Sequence, residues 1–294
     1  LAVFYTQSGQ LEDIIDHFTR PLQDAGASVE KLRIYPAEAY PFPWTGKSFF
    51  AVMPDCVNQA PRPLQPFSFK ESAYDLIILG YQAWFLSPSI PANSLLNDPR
   101  FKEIARNAPV ITITGARNMW ISAMEKIKPT LRNIGAKLVG NIALVDRHHN
   151  FVSFVTIFHW MFKGKKDRYL NIFPKPGVSD EDIMGTKVFG ELLISHLQKD
   201  NWQGLQEELV DAGGVNVKYS LMFIESKARK IFKVWAGIIS KRKKRTGWLV
   251  AFKYYLLIAL FIAAPIILTV DAIFFKPFLS GRIKRQKQYY SGVN

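Results

Sequence analysis

Short apolar segments with strand character alternate with segments of helical periodicity through the first half of the chain. The strand segments are residues 1–6, 29–35, 74–80, 109–115 and 137–146. Continuous apolar runs of this length are typical of strands that are buried on both faces of a parallel sheet. The helical patterns between them predict right-handed crossover connections. This part of the chain therefore predicts an α/β fold built on a five-stranded, doubly wound parallel sheet.

Three further segments belong to the predicted domain, which we place at residues 1–200. Residues 36–70 are rich in proline and aromatic side chains, a composition that favours an irregular surface loop or a lid. Residues 151–178 form an apolar and then basic extension. Ser179 and the three carboxylates after it are typical of a helix start. A sheet of this size and connectivity resembles the flavodoxin-like fold.

Charge is distributed very unevenly along the chain. Residues 1–217 contain 22 Lys and Arg and 22 Asp and Glu, whereas residues 218–294 contain the other 16 basic residues against only Glu225 and Asp271. The whole formal charge of +14 therefore belongs to the tail. We predict that residues 201–294 form a basic helical C-terminal region, distinct from a neutral body.

The tail also has the strongest membrane signal, an apolar segment at residues 248–275. Its uncharged centre, 254–270, would rise about 26 Å as a helix, slightly short of the roughly 30 Å hydrocarbon core. Basic groups flank it on both sides, so an anionic membrane surface is the predicted partner of residues 241–287. The balanced flanks fix no orientation. Peripheral or monotopic association and a single span both stay open, as does a buried hairpin in a soluble oligomer.

The rest of the chain favours a cytoplasmic location. Cys56 is the single cysteine, which excludes an internal disulfide framework and suits a reducing compartment. Residues 1–6 have strand character rather than the pattern of a secretory leader. Nucleic acid is not an expected partner, because the neighbours of the basic run are aliphatic rather than the spaced aromatics of a base-stacking groove.

A candidate anion-binding loop follows the first strand directly. A helix start offers unpaired N–H groups, and hydroxyls with a flexible glycine would complete a phosphate site that needs no Lys or Arg. The string resembles the loop with which flavodoxin-like proteins bind the FMN phosphate, with a leucine where another hydroxyl is usual. The predicted phosphate-binding residues are Thr6, Gln7, Ser8, Gly9, Gln10 and Leu11.

Two more loops are expected at the same edge of the sheet, because ligands of doubly wound sheets bind at the carboxyl ends of the strands. Both follow a strand that ends in glycine, and both contain the aromatic and amide side chains that suit an isoalloxazine ring. Arg117 would stabilise an anionic reduced flavin. The predicted ring-binding residues are Gly80, Tyr81, Gln82, Ala83, Trp84, Phe85, Gly115, Ala116, Arg117, Asn118 and Trp120. FMN is therefore the predicted cofactor.

Four strings in the body resemble the flavoproteins known as the dialkylresorcinol-condensing-enzyme family. They are 41–44 (PFPW), 74–96 (YDLIILGYQAWFLSPSIPANSLL), 111–125 and 140–147. The resemblance implies a ketosynthase partner that makes a long-chain cyclohexanedione, and an FMN-dependent oxidation of that lipid to the aromatic dialkylresorcinol. Condensation is not expected of this chain, since Cys56 has no thiolase-like context. A homodimer is a further expectation.

Aromatising a cyclohexanedione removes a hydride and a proton, so a base is expected near the flavin. The candidates are Asp146, His148 and His149 at the end of the fifth strand, and Tyr81. No metal is expected, because the histidine pair has no ligand partner at helical spacing. Two alternatives stay open: a membrane-associated electron-transfer or quinone-reductase-like flavodoxin, and a non-catalytic scaffold for the ketosynthase.

Overall fold

The predicted strands assemble into one parallel sheet in the computed structural model, which describes residues 1–293. The strands are β1 (Ala2–Phe4), β2 (Lys31–Arg33), β3 (Ile77–Tyr81), β4 (Ala83–Trp84), β5 (Ser87–Pro88), β6 (Pro109–Ala116) and β7 (Lys137–Val145). The order in the sheet is β2-β1-β3-β6-β7, with every pair parallel. The antiparallel pair β4-β5 stands outside it. With that pair set aside, the order is 2-1-3-4-5, so the predicted flavodoxin-like fold class is confirmed.

Helices cover both faces of the sheet and continue into the tail. They are α1 (Gln10–Asp24), α2 (Gly46–Ala51), α3 (Met53–Val57), α4 (Ile90–Asn97), α5 (Pro99–Ala105), α6 (Ile121–Ile134), α7 (Asn150–Lys163), α8 (Asp180–Gly185), α9 (Lys187–Lys199), α10 (Leu205–Asp211), α11 (Tyr219–Ser240), α12 (Thr246–Ile258), α13 (Ala264–Val270) and α14 (Ser280–Ser291).

Alternate strand residues supply two separate cores, as the pleat requires. Val3 and Leu79 face one way, into a core with α4, α5 and α6. Phe4 and Ile78 face the other way, into a core with α1, α9 and α10. Gly80 has to be glycine, because a Cβ there would lie 2.6 Å from atoms of Ile15 and Phe4. The close packing of α1 on the sheet fixes the loop before that helix.

The proline-rich insertion is more regular than its composition predicts. It contains α2 and α3, and Thr45 starts α2 with a capping box completed by Ser48. Trp44 donates its backbone N–H to the carbonyl of Met161 at 2.8 Å, which joins the insertion to α7. The insertion is therefore an ordered wall beside the carboxyl edge of the sheet.

The tail is packed into the body through a third core. Its fully buried centre is Phe252 of α12, which contacts Phe50 of α2, Phe85 of the β4-β5 turn, and Phe232 of α11. Glu225 of α11 is 1% exposed and accepts the backbone N–H of Ser122 at 2.6 Å. Sequence patterns predict a helical tail, but they do not show this docking.

The apolar segment lies in a continuous helical stretch of 46 residues, Thr246–Ser291. Two π-helical turns, Ala259–Ala263 and Asp271–Phe275, and a 3₁₀ turn, Lys276–Leu279, interrupt it. Pro265 lacks the N–H that an uninterrupted α-helix would use, which accounts for the first interruption. By length and composition, this is the one helix among residues 1–293 that could cross a membrane.

Both ends of this helical stretch contact the body. Phe252, near the start, is part of the third core. Near the other end, Tyr289 donates its hydroxyl to Glu125 of α6 at 3.1 Å, and Gln206 of α10 donates to the carbonyl of Ser291 at 2.7 Å. The apolar side chains between these contacts are mostly exposed, whereas Asp271 among them is 4% exposed.

Candidate functional site

A cleft of about 270 Å³ opens where β1, β3 and β6 end. Three loops, at residues 7–11, 82–85 and 115–117, form its floor, and the insertion and α7 form its walls. A larger cavity of about 570 Å³ lies near Leu1 and Leu76, at the amino ends of β1 and β3. Ligands of doubly wound sheets bind at the carboxyl ends of the strands, so the smaller cleft is the candidate site.

The first loop presents unpaired amides to this cleft. Gly9 caps α1 in a left-handed conformation, with φ +88°, and no side chain caps the helix start. The backbone N–H groups of Ser8, Gln10 and Leu11 have no partner within residues 1–293. Gly9 donates its own N–H to the hydroxyl of Thr6 at 3.1 Å, which holds the loop in shape. Free amides at a helix start attract an anion through both hydrogen bonds and the helix dipole.

Two glutamine side chains of this loop are held by hydrogen bonds to backbone groups elsewhere in the protein. Gln7 donates to the carbonyls of Tyr40 and Pro41, at 3.1 Å each. Gln10 makes a two-way pair with the backbone of Val178, at 3.2 Å in each direction. Ser8 is the loop side chain left without a partner in the described chain. An anion here would therefore be held mainly by backbone amides.

The second loop contributes aromatic surface and one unsatisfied amide. Trp84 packs edge-on to Tyr40 and Trp44, with ring centroids 5.2 and 5.5 Å apart. Phe85 and the next residue turn the chain with φ +46° and +58°, values that favour Asn-Gly in a two-residue hairpin turn. The buried Oε1 of Gln82 has no hydrogen-bond partner in residues 1–293. A buried amide oxygen of this kind is costly unless a ligand or water pairs with it.

The third loop places a cation at the cleft. Arg117 donates to the backbone and side-chain oxygens of Asn150, at 3.2 and 3.0 Å, which fixes it against the start of α7. Burial lowers the pKa of Arg117 to about 10, and the nearby carboxylate of Asp146 partly opposes that shift. The guanidinium therefore stays charged at neutral pH. Asn118 donates to the same Asn150 side chain at 2.6 Å.

Several predicted site residues do not line the cleft. Tyr81 is fully buried in the core on the α6 side, where burial raises the pKa of its unpartnered hydroxyl. Trp120 is 2% exposed in the same core. Gly80 packs against α1, as described above. The strand pleat and the start of α6 direct these three residues away from the cleft.

Three of the predicted base candidates lie at the end of β7, next to Arg117 and outside the cleft lining. Asp146 is 3% exposed, and its carboxylate contacts a ring nitrogen of His148 at 2.7 Å and accepts the hydroxyl of Ser153 at 2.7 Å. His149 accepts the N–H of Phe151 as the cap of α7. None of the three predicted residues lines the cleft. Within residues 1–293 the cleft lining contains no carboxylate and no imidazole.

Sequence patterns did not identify the aromatic walls. Trp44 and Phe49 of the insertion line the cleft, as do Phe158 and Trp160 of α7. Their sequence signal was present, in the composition of the insertion and in the apolar run after Asn150, but neither signal indicates where the segment packs. Gly177 also lines the cleft, and a Cβ there would lie 2.8 Å from the Trp160 ring.

Neither a reactive thiol nor a metal centre is supported by the described residues. The thiol of Cys56 is buried and donates to the carbonyl of Trp84 at 3.0 Å, and burial raises the pKa of this thiol. A raised pKa keeps a thiol protonated and unreactive. Within the described residues, no group of three or more His, Cys, Asp or Glu side chains could hold a metal ion.

Comparison with known proteins finds similarity among solved structures, with TM-scores below 0.5 for those described below. No protein-family model matches the chain, and no curated protein sequence matches it. Among solved structures, a protein of Bacteroides eggerthii assigned as a flavoprotein is 13% identical, with a TM-score of 0.40 over 49% of this chain and 86% of its own.

A Lactobacillus acidophilus flavoprotein in complex with FMN is 16% identical, with a TM-score of 0.38 over 48% of this chain and 90% of its own. A flavodoxin from the domain Archaea is 10% identical, with a TM-score of 0.36 over 67% of this chain and 97% of its own.

Proposed function

We propose that the cleft binds FMN and that the protein is a flavin-dependent oxidoreductase acting on an apolar substrate at a membrane surface. One observation carries the proposal: unpaired amides, an unsatisfied buried amide oxygen and aromatic walls share one cleft at the carboxyl edge of a flavodoxin-like sheet. A phosphate-bearing, flat aromatic ligand with a polar edge would satisfy all three.

The residues present fit the proposed cofactor. The amides of Ser8, Gln10 and Leu11 would hold the phosphate, and Gln82 would hydrogen-bond to a polar ring edge. Arg117 would bring positive charge to the ring, and Trp84 would give it an apolar face. When bound, FMN would supply a two-electron acceptor. The cleft walls would exclude water from the reacting atoms.

The finer proposal concerns the substrate and rests on the family resemblance. A cyclohexanedione with alkyl chains would be aromatised to a dialkylresorcinol, losing one hydride to the flavin and one proton to a base. His148, oriented by Asp146, is the proposed proton acceptor, since its carboxylate partner would stabilise the charged imidazole. Because the pair lies behind Arg117, proton transfer from the cleft would need an intervening water. A ketosynthase would be the partner that supplies the substrate.

We also propose that the apolar helical stretch lies in one leaflet and does not cross the bilayer. A span would place its two ends on opposite sides of the membrane. Here both ends contact the same globular body, through Phe252 and through the Tyr289–Glu125 hydrogen bond. The exposed apolar side chains between these ends would enter the leaflet, and the flanking lysines and arginines would contact anionic headgroups.

A membrane-associated electron-transfer flavodoxin is the second candidate. The lack of a carboxylate or imidazole in the described cleft lining favours it, since electron transfer alone needs no base. Its substrate would be another redox protein or a quinone, and the same cofactor would be bound.

The absorbance spectrum of the purified full-length protein tests the cofactor. We expect blue and near-ultraviolet flavin bands, and a protein without them would contradict the whole proposal. Anaerobic mixing with a long-chain cyclohexane-1,3-dione then separates the candidates. Bleaching of the flavin bands with formation of the resorcinol supports substrate oxidation. Bleaching only by a reduced partner or a quinol supports electron transfer.

A further inference from the structure

A second apolar cavity adjoins the candidate cofactor cleft on its membrane-helix side. Its volume is about 270 Å³, and it lies between α2, α7 and the start of the long helical stretch. Leu256 and Leu257 of α12 form one wall, and Phe154 of α7 forms the opposite one. Lys253 is the one charged residue that lines it among those described.

Only a layer of phenylalanine rings separates this cavity from the cleft. Phe158 lines both spaces. Phe49 lines the cleft, and its ring meets that of Phe162, which lines the outer cavity, at 6.1 Å between centroids. The rings of Phe158 and Phe162 are 5.2 Å apart. Partly exposed phenylalanine side chains can change rotamer on a fast timescale, so this layer can open without backbone movement.

The outer side of the cavity continues into the exposed apolar surface. The ring of Phe261, in the turn after α12, contacts that of Phe154 at 4.8 Å and that of Phe151 at 6.2 Å. Phe151 and Phe261 are both more than 40% exposed. One apolar path therefore runs from the surface proposed to enter the leaflet, past α7, to the cofactor cleft.

We propose that this outer cavity binds the alkyl chain of a lipid substrate whose polar ring occupies the cofactor cleft. This inference rests on the proposed function and extends it, because it gives a binding site to one long unbranched alkyl chain of the proposed substrate. The two ends of the outer cavity argue for an alkyl chain as its occupant. The outer end opens where a membrane-dissolved chain would arrive, and the inner end meets the cleft at Phe158.

Variants on α12 test the path, because neighbouring residues of this helix face different ways. Leu257 lines the cavity, whereas Ile258 is 56% exposed and does not. Leu257→Trp would fill the cavity, and Ile258→Trp is the matched control. The probes are resorcinols with a methyl, a pentyl or an undecyl chain. Calorimetry on the FMN-loaded, full-length protein in detergent gives their affinities, and the flavin absorbance spectrum reports whether the ring occupies the cleft.

In the wild-type protein we expect affinity to rise about fourfold per buried methylene, so that burial of about four methylenes in the cavity makes the undecyl compound bind about a hundredfold or more tighter than the methyl one. Leu257→Trp should reduce that gain at least about tenfold and leave the methyl compound unchanged. Ile258→Trp should keep the full gain. Leu260→Phe fills the same cavity and should act in the same direction, provided that both variants retain the wild-type flavin content.

An undiminished chain-length gain in both cavity-filling variants would overturn the inference. It would also be overturned if undecanol bound as tightly as undecylresorcinol, since the cavity would then accept any membrane lipid chain. Failure of the proposed function looks different. In that case Leu257→Trp would still remove the chain-length gain, but no resorcinol of any length would perturb the flavin spectrum.

Discussion

The sheet body and the C-terminal helices expose opposite kinds of side chain. Among residues 1–293, 16 of the 22 exposed large hydrophobic side chains lie between residues 231 and 289. The two acidic residues within 218–294, Glu225 and Asp271, are 1% and 4% exposed. This segment of the tail therefore presents apolar and basic groups to its surroundings and keeps its carboxylates inside, whereas the body pairs opposite charges at its surface.

This difference is what the proposed membrane contact of the tail would require, although the tail is packed on the body. Contiguous exposed apolar surface of this extent marks an interaction site, and basic flanks favour an anionic membrane. At the same time, Phe252 and Phe85 join the tail to the rim of the cofactor cleft. The proposed membrane contact and the proposed access of the ligand would therefore involve the same few helices.

The largest expected effect comes from placing charge on the exposed apolar face. Ile262→Asp combined with Ile266→Asp should weaken binding to anionic vesicles by about a hundredfold or more, because each carboxylate in the hydrocarbon core costs about 2.5 to 3.5 kcal/mol. Vesicle co-sedimentation measures the change. Ile172→Asp, at an apolar position of the body that is even more exposed, is the control and should have no effect. Equal loss in both would show that the tail is not the membrane contact.

The next largest effect compares the stability of the body with that of the tail. Phe18→Ala in the body and Phe252→Ala in the third core both empty a fully buried site and should each cost about 3 to 5 kcal/mol. Hydrogen exchange should show the loss across the sheet and α1 for Phe18→Ala. For Phe252→Ala it should show the loss in α11 and α12, with β3 and β6 still protected. Global loss of protection in both variants would mean that tail and body unfold as one unit.

The docking of the tail should depend on pH through Glu225. Burial raises the pKa of Glu225 to about 7 from 4.5, against the opposing hydrogen bond from Ser122 and the charge of Arg229. Because the folded state favours the protonated form, the stabilisation is fully present below pH 4.5 and is lost as the pH rises through about 7. The stabilisation lost over this pH range is about 3 kcal/mol. Denaturant unfolding across this range measures it.

Glu225→Gln is the matched variant for that prediction. It keeps the shape of the side chain and removes the titration, so the free energy of unfolding should vary less between pH 4.5 and 7.5 than in the wild-type protein. An identical pH dependence in both proteins would assign it to other groups.

The smallest effect contrasts one glycine of each part. Gly9 has φ +88°, where alanine is strained by about 1 to 2 kcal/mol, so Gly9→Ala should weaken FMN binding by about tenfold. Gly247 lies in α12 with open space at its Cβ position. Gly247→Ala should stabilise the tail by about 0.5 to 1 kcal/mol and leave FMN binding unchanged. Fluorescence titration measures the FMN affinity of both variants, and denaturant unfolding measures the stability change. An unaffected FMN affinity in Gly9→Ala would contradict the anion site.

The amino-acid sequence alone determined the sheet, the loop edges and the uneven charge. Apolar runs separated by helical periodicity require a parallel sheet, and the loop from Thr6 to Leu11 is local to one strand and one helix. For such features the interacting groups are close in the chain, so their pattern is visible in the sequence. The predicted cleft residues Gln82, Trp84 and Arg117 follow from the same logic, because parallel strands end at a common edge.

Only the tertiary structure decided which segments form the cleft walls and where the tail lies. Trp44, Phe158 and Phe252 come from three distant segments, and apolar periodicity does not specify which apolar face meets which. The same limit explains why Tyr81 is placed in the core rather than the cleft, since one residue of strand register moves a side chain to the other face. Many apolar faces of similar chemistry could pack against one another. Their shapes and the area that they bury determine which of them do.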